Sequence, residues 1–177
     1  ADMVFITCGL GGGTGTGAAP IVAELAKNRD ILTIAVVTKP FTFEGSKRKE
    51  IAEAGYENLK DKVDAIISVQ NDRILQIIDK KTSLIDAFKT VDEVLRQGIA
   101  GISDLITTHG VVNADFADIR TIMQDAGTAM MGIGRASGEG RAEIAAKAAV
   151  NSPLLDMTID GAQGVLFNIT GGSDLGM

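Results

Sequence analysis

A glycine-rich run near the start of the chain, GLGGGTGTGAAP at residues 9–20, constrains the fold more than any other segment. It has six glycines in its first nine residues. The run follows MVFIT (residues 3–7), an apolar segment rich in strand formers, and leads into AAPIVAELAK, where apolar residues recur at helical spacing. The predicted order is therefore strand, glycine loop, helix. Backbone N–H groups and the positive end of a helix dipole converge at such a junction, which favours an anion and most often a phosphate.

Two common phosphate-binding motifs do not fit this loop. The dinucleotide fingerprint requires glycines at i, i+2 and i+5, and no starting position from Gly9 to Gly17 provides them. A Walker A loop ends in Gly-Lys-Ser/Thr, whereas Ala18 follows Gly17 here. What remains is a lysine-free cradle whose threonine hydroxyls can add donors to the amides, or else a tight turn that only connects strand and helix. The cradle consists of Gly11, Gly12, Gly13, Thr14, Gly15, Thr16 and Gly17.

The segments after the loop alternate between strand and helix patterns, which predicts an α/β fold with a parallel sheet. A long helix of about 24 residues, roughly 36 Å, follows at residues 83–107. We expect residues 1–82 to form part of one domain, residues 83–108 a connecting helix, and residues 109–177 part of an α+β second domain. The predicted strands are residues 31–38, 63–69, 128–134 and 164–170, and the other predicted helices are residues 44–62 and helices from Asn71, Phe116 and Glu139.

Composition narrows the classes of function. The net charge is −6 without a block of lysine or arginine, which argues against a nucleic-acid partner. No apolar run is long enough to span a bilayer, so direct membrane insertion is not expected. One cysteine, Cys8, excludes an intrachain disulfide. An anionic ligand would therefore be held by local geometry and not by a basic surface.

Two residues on the long helix are candidates for binding a nucleotide base. Phe88 and Asp92 are four residues apart and share a helix face, so the ring can stack on a purine while the carboxylate approaches its edge. Guanine presents adjacent N1–H and N2–H₂ donors that match a carboxylate, and adenine does not. A desolvated, unpaired carboxylate would penalise adenine by several kcal/mol, so Asp92 favours GTP over ATP. The alternative is that Asp92 is simply an exposed polar residue on a helix surface.

The segment NADFADI, residues 113–119, holds the candidate catalytic residues. Asp115 and Asp118 are three residues apart at a predicted helix start, with Asn113 before them. A helix N-terminus favours ionised carboxylates, which can orient water for phosphoryl transfer. Spacing alone favours a simpler interpretation, in which Asp115 caps the helix and Asp118 is a first-turn acid.

The loop GGGTGTG resembles the signature loop of the tubulin/FtsZ family of GTPases, and the whole chain resembles its bacterial FtsZ members. This resemblance implies a tubulin-like GTPase fold. It also implies that the glycine loop binds GTP or GDP, that Asn71 contacts guanine, and that Glu44 and Arg48 lie near the ribose. Mg²⁺ would accompany the nucleotide, and K⁺ is a further candidate. The other similar segments are residues 38–48, 86–107, 113–123 and 161–172.

The resemblance also implies how the protein works. Asn113, Asp115 and Asp118 would act in trans on GTP held by a neighbouring subunit, so that hydrolysis accompanies head-to-tail assembly into protofilaments. Such a heterologous contact does not close and generates a filament. The expected location is the cytoplasm, at the mid-cell division ring. Membrane tethers and division regulators would bind through a C-terminal tail that this chain lacks.

Family members begin with further strands and another phosphate loop, and they continue into more of the second domain. The chain therefore reads as an internal fragment, which leaves two alternatives to an active GTPase. One is a non-hydrolysing module that docks on or caps filaments. The other is a nucleotide enzyme outside the family, such as a dinucleotide enzyme, against which the glycine spacing argues.

Overall fold

The computed structural model describes residues 1–76, 82–108, 115–152 and 161–172, together with residue 174. Its strands are β1 (Met3–Gly9), β2 (Leu32–Lys39), β3 (Ala65–Gln70) and β4 (Gly127–Ala129). Its helices are α1 (Thr14–Lys27), α2 (Ser46–Lys60), α3 (Asn71–Ile74), α4 (Leu84–Thr107), α5 (Phe116–Met123) and α6 (Arg141–Val150), and a 3-10 turn spans Thr42–Glu44.

The four strands form one parallel sheet in the order β1-β2-β3-β4. Seven of the eight residues of β2 are buried, as expected for an apolar strand covered on both faces. Helices α1 and α2 pack on one face against Ala35 and Val37, while α4 and α5 pack on the other against Ile34 and Val36. The predicted α/β fold with a parallel sheet is confirmed.

The long helix α4 runs from one end of the sheet to the other. Near its start, Ala87 and Val91 pack with Phe41, which follows β2, and near its end Ile102 packs with Leu32, the first residue of β2. Val91 and Ile102 on this helix are buried, whereas Leu84 in its first turn is 56 % exposed.

Two strand predictions differ from the structure. The strand expected at residues 128–134 is β4, which ends already at Ala129. The strand expected at residues 164–170 is absent, because no described strand pairs with this segment. Its alternating apolar residues Val165, Phe167 and Ile169 are 69–75 % exposed. An alternating pattern is therefore present, but the hydrogen-bonding partner that a strand requires is not found in the described part of the chain.

Residues 115–129 pack on the sheet of the first half of the chain. Helix α5 contributes Ile119 and Met123 to the core beneath β2, and β4 pairs with β3. The division of the chain at residue 108 stays a prediction, and these contacts connect the region just beyond it to the sheet. No described helix is long and apolar enough to cross a membrane.

Candidate functional site

The glycine loop lies where β1 ends and α1 begins, and its first turn is held against α2. Gly11 has φ +100°, and a Cβ there would lie 2.8 Å from both Cγ and the carbonyl oxygen of Arg48. The Gly11 N–H donates to the Thr16 hydroxyl oxygen at 2.9 Å. Only glycine fits this position, because the backbone conformation and the neighbouring helix both exclude a side chain.

The rest of the loop faces open space. A Cβ added to Gly12, Gly13 or Gly17 would meet no atom within 4 Å. Helix α1 starts without a side-chain cap and without an acidic residue in its first turn, so its first N–H groups and the positive end of its dipole are not neutralised locally. This geometry fits an anion such as a phosphate.

Gly15 and Cys8 form the packed side of the loop. A Cβ on Gly15 would approach the Cβ of Cys8 to 2.9 Å, so the first turn of α1 presses directly on β1. Burial raises the pKa of the Cys8 thiol, which keeps it protonated at neutral pH. Cys8 is therefore a packing residue and a poor nucleophile.

Glu44 and Arg48 form an ion pair with 3.3 Å between Arg48 Nε and Glu44 Oε2. The other carboxylate oxygen of Glu44 accepts from the Phe41 N–H at 2.8 Å, so Glu44 also closes the turn after β2. The Glu44 side chain is 12 % exposed, whereas that of Arg48 is 52 % exposed and borders the glycine loop. Their predicted place near a ribose stays a prediction, and Arg48 is the member of the pair with room to contact a ligand.

Asn71 begins α3 directly after β3 and is only 5 % exposed. Its side-chain oxygen Oδ1 is buried and has no hydrogen-bond partner among the residues that the structure describes. An unsatisfied buried acceptor costs about 1–3 kcal/mol, and such a group in a native fold calls for a donor from outside the chain. The adjacent Asp72 accepts from the Thr42 N–H at 2.9 Å, which ties α3 to the turn after β2.

Phe88 lies on α4 opposite this corner, with its ring edge-on to Phe41 at a centroid separation of 5.2 Å. Phe41 stacks in turn on Phe43 at 4.8 Å. Phe88 is 39 % exposed and keeps a free ring surface. Asp92 is exposed one turn further along the same helix. The sequence did not indicate that Phe41 packs against Phe88 or that Phe43 stacks on Phe41. The position of both residues just after a buried strand was the available signal.

The predicted nucleotide-binding residues are thus collected at one edge of the sheet. The glycine loop follows β1, the Glu44–Arg48 pair follows β2 and Asn71 follows β3, and carboxyl ends of parallel strands meet at the same edge. We call this the carboxyl-terminal edge. Its open backbone cradle and its unpaired amide oxygen fit a nucleotide with phosphates at the loop and a base near α3 and α4.

The candidate catalytic acids form a reciprocal cap at the start of α5. The Asp118 N–H donates to Asp115 Oδ1 at 2.9 Å, and the Asp115 N–H donates to Asp118 Oδ2 at 3.3 Å. The capping role that spacing suggested is therefore real, yet both side chains remain exposed. The third candidate, Asn113, lies outside the described residues.

These acids lie at the opposite end of the molecule from the glycine loop. In the same helix, Arg120 donates to the carbonyl oxygen of Asp30, just before β2 starts, and Ile119 packs with Leu32. We call the side where the strands begin the amino-terminal edge. Within one chain, Asp115 and Asp118 are not brought together with the nucleotide-binding residues.

Comparison with known proteins identifies the family of the chain. The tubulin/FtsZ family GTPase domain matches residues 1–79, and the FtsZ family C-terminal domain matches residues 127–177. The chain belongs to the tubulin/FtsZ family. The first match contains the glycine loop, Glu44, Arg48 and Asn71. The second begins at β4 and continues to the last residue.

Solved members of the tubulin/FtsZ family superpose on the chain. An FtsZ from the archaeon M. jannaschii, solved as an empty dimer, is 50 % identical and aligns with 91 % of this chain at a TM-score of 0.87. A point variant of FtsZ from the same organism is 49 % identical over 88 % of the chain, with a TM-score of 0.84. CetZ from Methanosaeta thermophila, at 20 % identity over 90 % of the chain and a TM-score of 0.73, shares the fold. The chain spans about half of each relative, 45–47 % of its length.

Proposed function

We propose that the protein binds GTP at the carboxyl-terminal edge. The loop amides and the start of α1 would bind the phosphates, and Thr14 would add a hydroxyl donor. The base would stack on the free ring surface of Phe88, with Asp92 accepting from its N1–H and N2–H₂ groups. The Oδ1 of Asn71, which lacks a partner within the described part of the chain, would accept a further guanine N–H.

The separation of the two candidate sites supports a polymer-forming GTPase. The loop and the acids Asp115 and Asp118 lie at opposite edges of one sheet, so one subunit cannot apply both to the same nucleotide. A second subunit, stacked head to tail, would bring its acids to the γ-phosphate. Because this contact joins two different surfaces, repetition yields a filament. This opposition is the observation that carries the proposal.

The acids would act mainly by positioning. Hydrolysis of a γ-phosphate requires a water molecule in line and neutralisation of charge, with little need for a strong base. Exposed carboxylates at a helix start can orient that water, and Asn113 is the third residue that we propose for this step. Mg²⁺ would bind chiefly through the nucleotide phosphates, since no group of three or more acidic, histidine or cysteine residues in the described ranges could hold a metal. K⁺ would be a second cation.

The proposed biological role is cell division. An FtsZ-type filament would form in the cytoplasm at the mid-cell ring, where membrane tethers and division regulators would bind it. A bacterial source stays a prediction, since the FtsZ structures compared above are from M. jannaschii.

The second candidate function is a non-hydrolysing module that docks on filament ends. The observation that favours it is the exposure of Asp115 and Asp118 at the edge away from the glycine loop, where they are accessible to a partner. Such a chain would present the acids of α5 to a GTP-bearing partner without turning over nucleotide of its own.

The deciding experiment measures GTP turnover by the 177-residue chain against protein concentration, with sedimentation of polymer in the same samples. An Asp118→Ala variant runs alongside, and equilibrium binding of GTP is measured for both. We expect turnover to rise steeply above a threshold concentration and to be lost in the variant while GTP binding persists. Undetectable turnover with retained binding to filaments of M. jannaschii FtsZ would instead support the docking module. Competition by NAD but not by GTP would contradict both.

A further inference from the structure

A cluster of charged residues at the amino-terminal edge joins α1 to the end of α5. Lys27, the last residue of α1, lies between two carboxylates: its Nζ is 3.1 Å from Asp125 Oδ1 and 3.5 Å from Asp64 Oδ1. Asp125 follows α5 by two residues. One ammonium group thus connects the helix that carries the glycine loop with the helix that carries the candidate catalytic acids.

Asp64 fixes this cluster to the sheet. It is 5 % exposed, and its Oδ2 accepts from the Thr33 N–H at 2.8 Å. Its backbone oxygen accepts from the Gly127 N–H at 2.9 Å, which attaches the chain after α5 to β3. A buried carboxylate is tolerated only when it is paired and hydrogen-bonded. Lys27 therefore neutralises the charge of Asp64 in addition to pairing with Asp125 next to α5.

The chain reversals after α1 and α5 meet at the same place. Asp30 and Asp125 have φ of +56° and +52°, and they are the two non-glycine residues in the left-handed region within the described ranges. The Arg120 guanidinium donates to the Asp30 carbonyl oxygen at 2.9 Å. Conformations of this kind persist where surrounding contacts hold them. Ion pairs and hydrogen bonds therefore brace the second half of α5, whereas in its first turn Ala117 and Asp118 are exposed and Phe116 is only partly buried against the core.

The contacts that hold the end of α5 determine the orientation of Asp115 and Asp118 at its start. Helix α5 has eight residues, so it is about 12 Å long, and a tilt of roughly 10° at its braced end moves the other end by about 2 Å. A misplacement of about 1 Å can reduce a reaction rate roughly 100-fold. A substitution at Lys27 would thus change the positions of Asp115 and Asp118 although Lys27 does not contact them directly.

We propose that Lys27 is a positioning residue that acts through Asp125 to orient the start of α5, and so Asp115 and Asp118, toward the nucleotide of the neighbouring subunit. The expected effect of Lys27 on GTP hydrolysis rests on the proposed GTPase function. The anchoring of α5 by Lys27 is a property of the single chain. The two parts can therefore be tested separately.

The test compares Lys27→Met, which removes the charge and keeps the stem, with Lys27→Arg as the conservative variant. Lys62→Met is the matched control, because Lys62 also forms an ion pair that involves α1, at 2.9 Å from Glu24, and has a side-chain exposure of 32 % against 38 % for Lys27. Its ion-pair partner Glu24 lies on α1, whereas Lys27 pairs with Asp125 just after α5. Hydrogen–deuterium exchange is followed in peptides covering residues 115–123 and in the centres of β2 and β3. GTP turnover and GTP affinity are measured on the same proteins.

We expect Lys27→Met to speed exchange in residues 116–123 at least about threefold, with β2 and β3 unchanged. Its kcat should fall about tenfold at unchanged GTP affinity. Lys27→Arg should restore both, and Lys62→Met should resemble the wild type. Unchanged exchange in α5, or equal acceleration in all three regions, would overturn the proposal. A wild-type chain that never hydrolyses GTP would contradict the proposed function, and the exchange comparison would still decide whether Lys27 anchors α5.

Discussion

The two edges of the sheet differ in how their polar groups are satisfied. At the carboxyl-terminal edge, the Asn71 amide oxygen is buried and finds no partner in the described ranges, and the backbone around Gly12 and Gly13 faces open space. At the amino-terminal edge, buried Asp64 has both a hydrogen bond and a cation. The first edge thus leaves polar groups open in the way that our proposed GTP site requires, whereas the second is braced within the chain and carries the exposed acids Asp115 and Asp118. An edge that presents side chains to another subunit needs support from within its own chain. An edge that binds a ligand must leave hydrogen-bonding groups without partners in the protein.

The largest expected effect tests whether the two edges cooperate between subunits. Asp118→Ala removes an acid and keeps the loop, while Gly12→Val fills the ligand space without meeting a protein atom within 4 Å of its Cβ. Each variant should lose turnover by about 100-fold or more. A mixture in equal amounts should regain activity, because roughly a quarter of head-to-tail contacts would pair an intact loop with intact acids.

Asp86→Ala serves as the control, since Asp86 is another exposed first-turn acid whose N–H donates to a capping side chain. It should keep its turnover. If the mixture stays inactive while both variants still co-sediment, the assignment of the two edges to one shared site is wrong.

The next effect concerns the packed part of the glycine loop. Gly11→Ala should reduce the free energy of unfolding by at least about 2 kcal/mol, because φ is +100° and the new Cβ would press on Arg48. Gly17→Ala, in helical backbone with open space, should raise stability by up to about 1 kcal/mol. Urea denaturation measures both. Equal stabilities would show that the loop is not held against α2 as described.

A smaller effect separates binding from folding at Asn71. Asn71→Leu removes the unpaired oxygen, so stability should change by less than about 1 kcal/mol, whereas GTP affinity should fall about 10–100-fold. Asn28→Leu, at the amino-terminal edge, should leave GTP affinity unchanged. Titration with GTP and ATP is the measurement. A loss of stability without loss of affinity would indicate that Asn71 serves only the fold.

The smallest effect is a pH dependence at the amino-terminal edge. Partial burial lowers the pKa of Lys27, but the hydrogen bond to Asp125 and the charges of Asp64 and Asp125 outweigh it and raise the pKa above 10.5. The stabilisation is therefore complete below pH 10.5 and is lost as the pH rises through the higher folded-state value. Because the side chain is 38 % exposed, the loss should be below about 1 kcal/mol. Thermal unfolding from pH 9 to 12 should show this step in the wild type and not in Lys27→Met.

The carboxyl-terminal edge could be predicted because its residues lie in short motifs that follow strands. Alternation of apolar segments placed β1, β2 and β3, and parallel pairing then brings the loop, Glu44 and Asn71 together. The roles of these residues toward GTP stay predictions.

The bracing at the other edge could not be predicted in the same way. Lys27, Asp64 and Asp125 are 37 to 98 residues apart and match no motif, so only the folded chain shows that they meet. The failed strand at residues 164–170 has the same origin. Its alternation was real, but strand formation depends on a partner that local pattern does not identify.

Helix α1 has one end in the glycine loop and the other at Lys27, 14 residues or about 21 Å away. The length of α1 therefore determines where Lys27 lies relative to the glycine loop. Inserting or deleting a single residue would turn Lys27 by about 100° around the helix axis, away from Asp64 and Asp125, even if every glycine of the loop stayed in place. Point substitutions can alter the composition of α1 freely on its exposed face, but any length change would have to preserve whole turns.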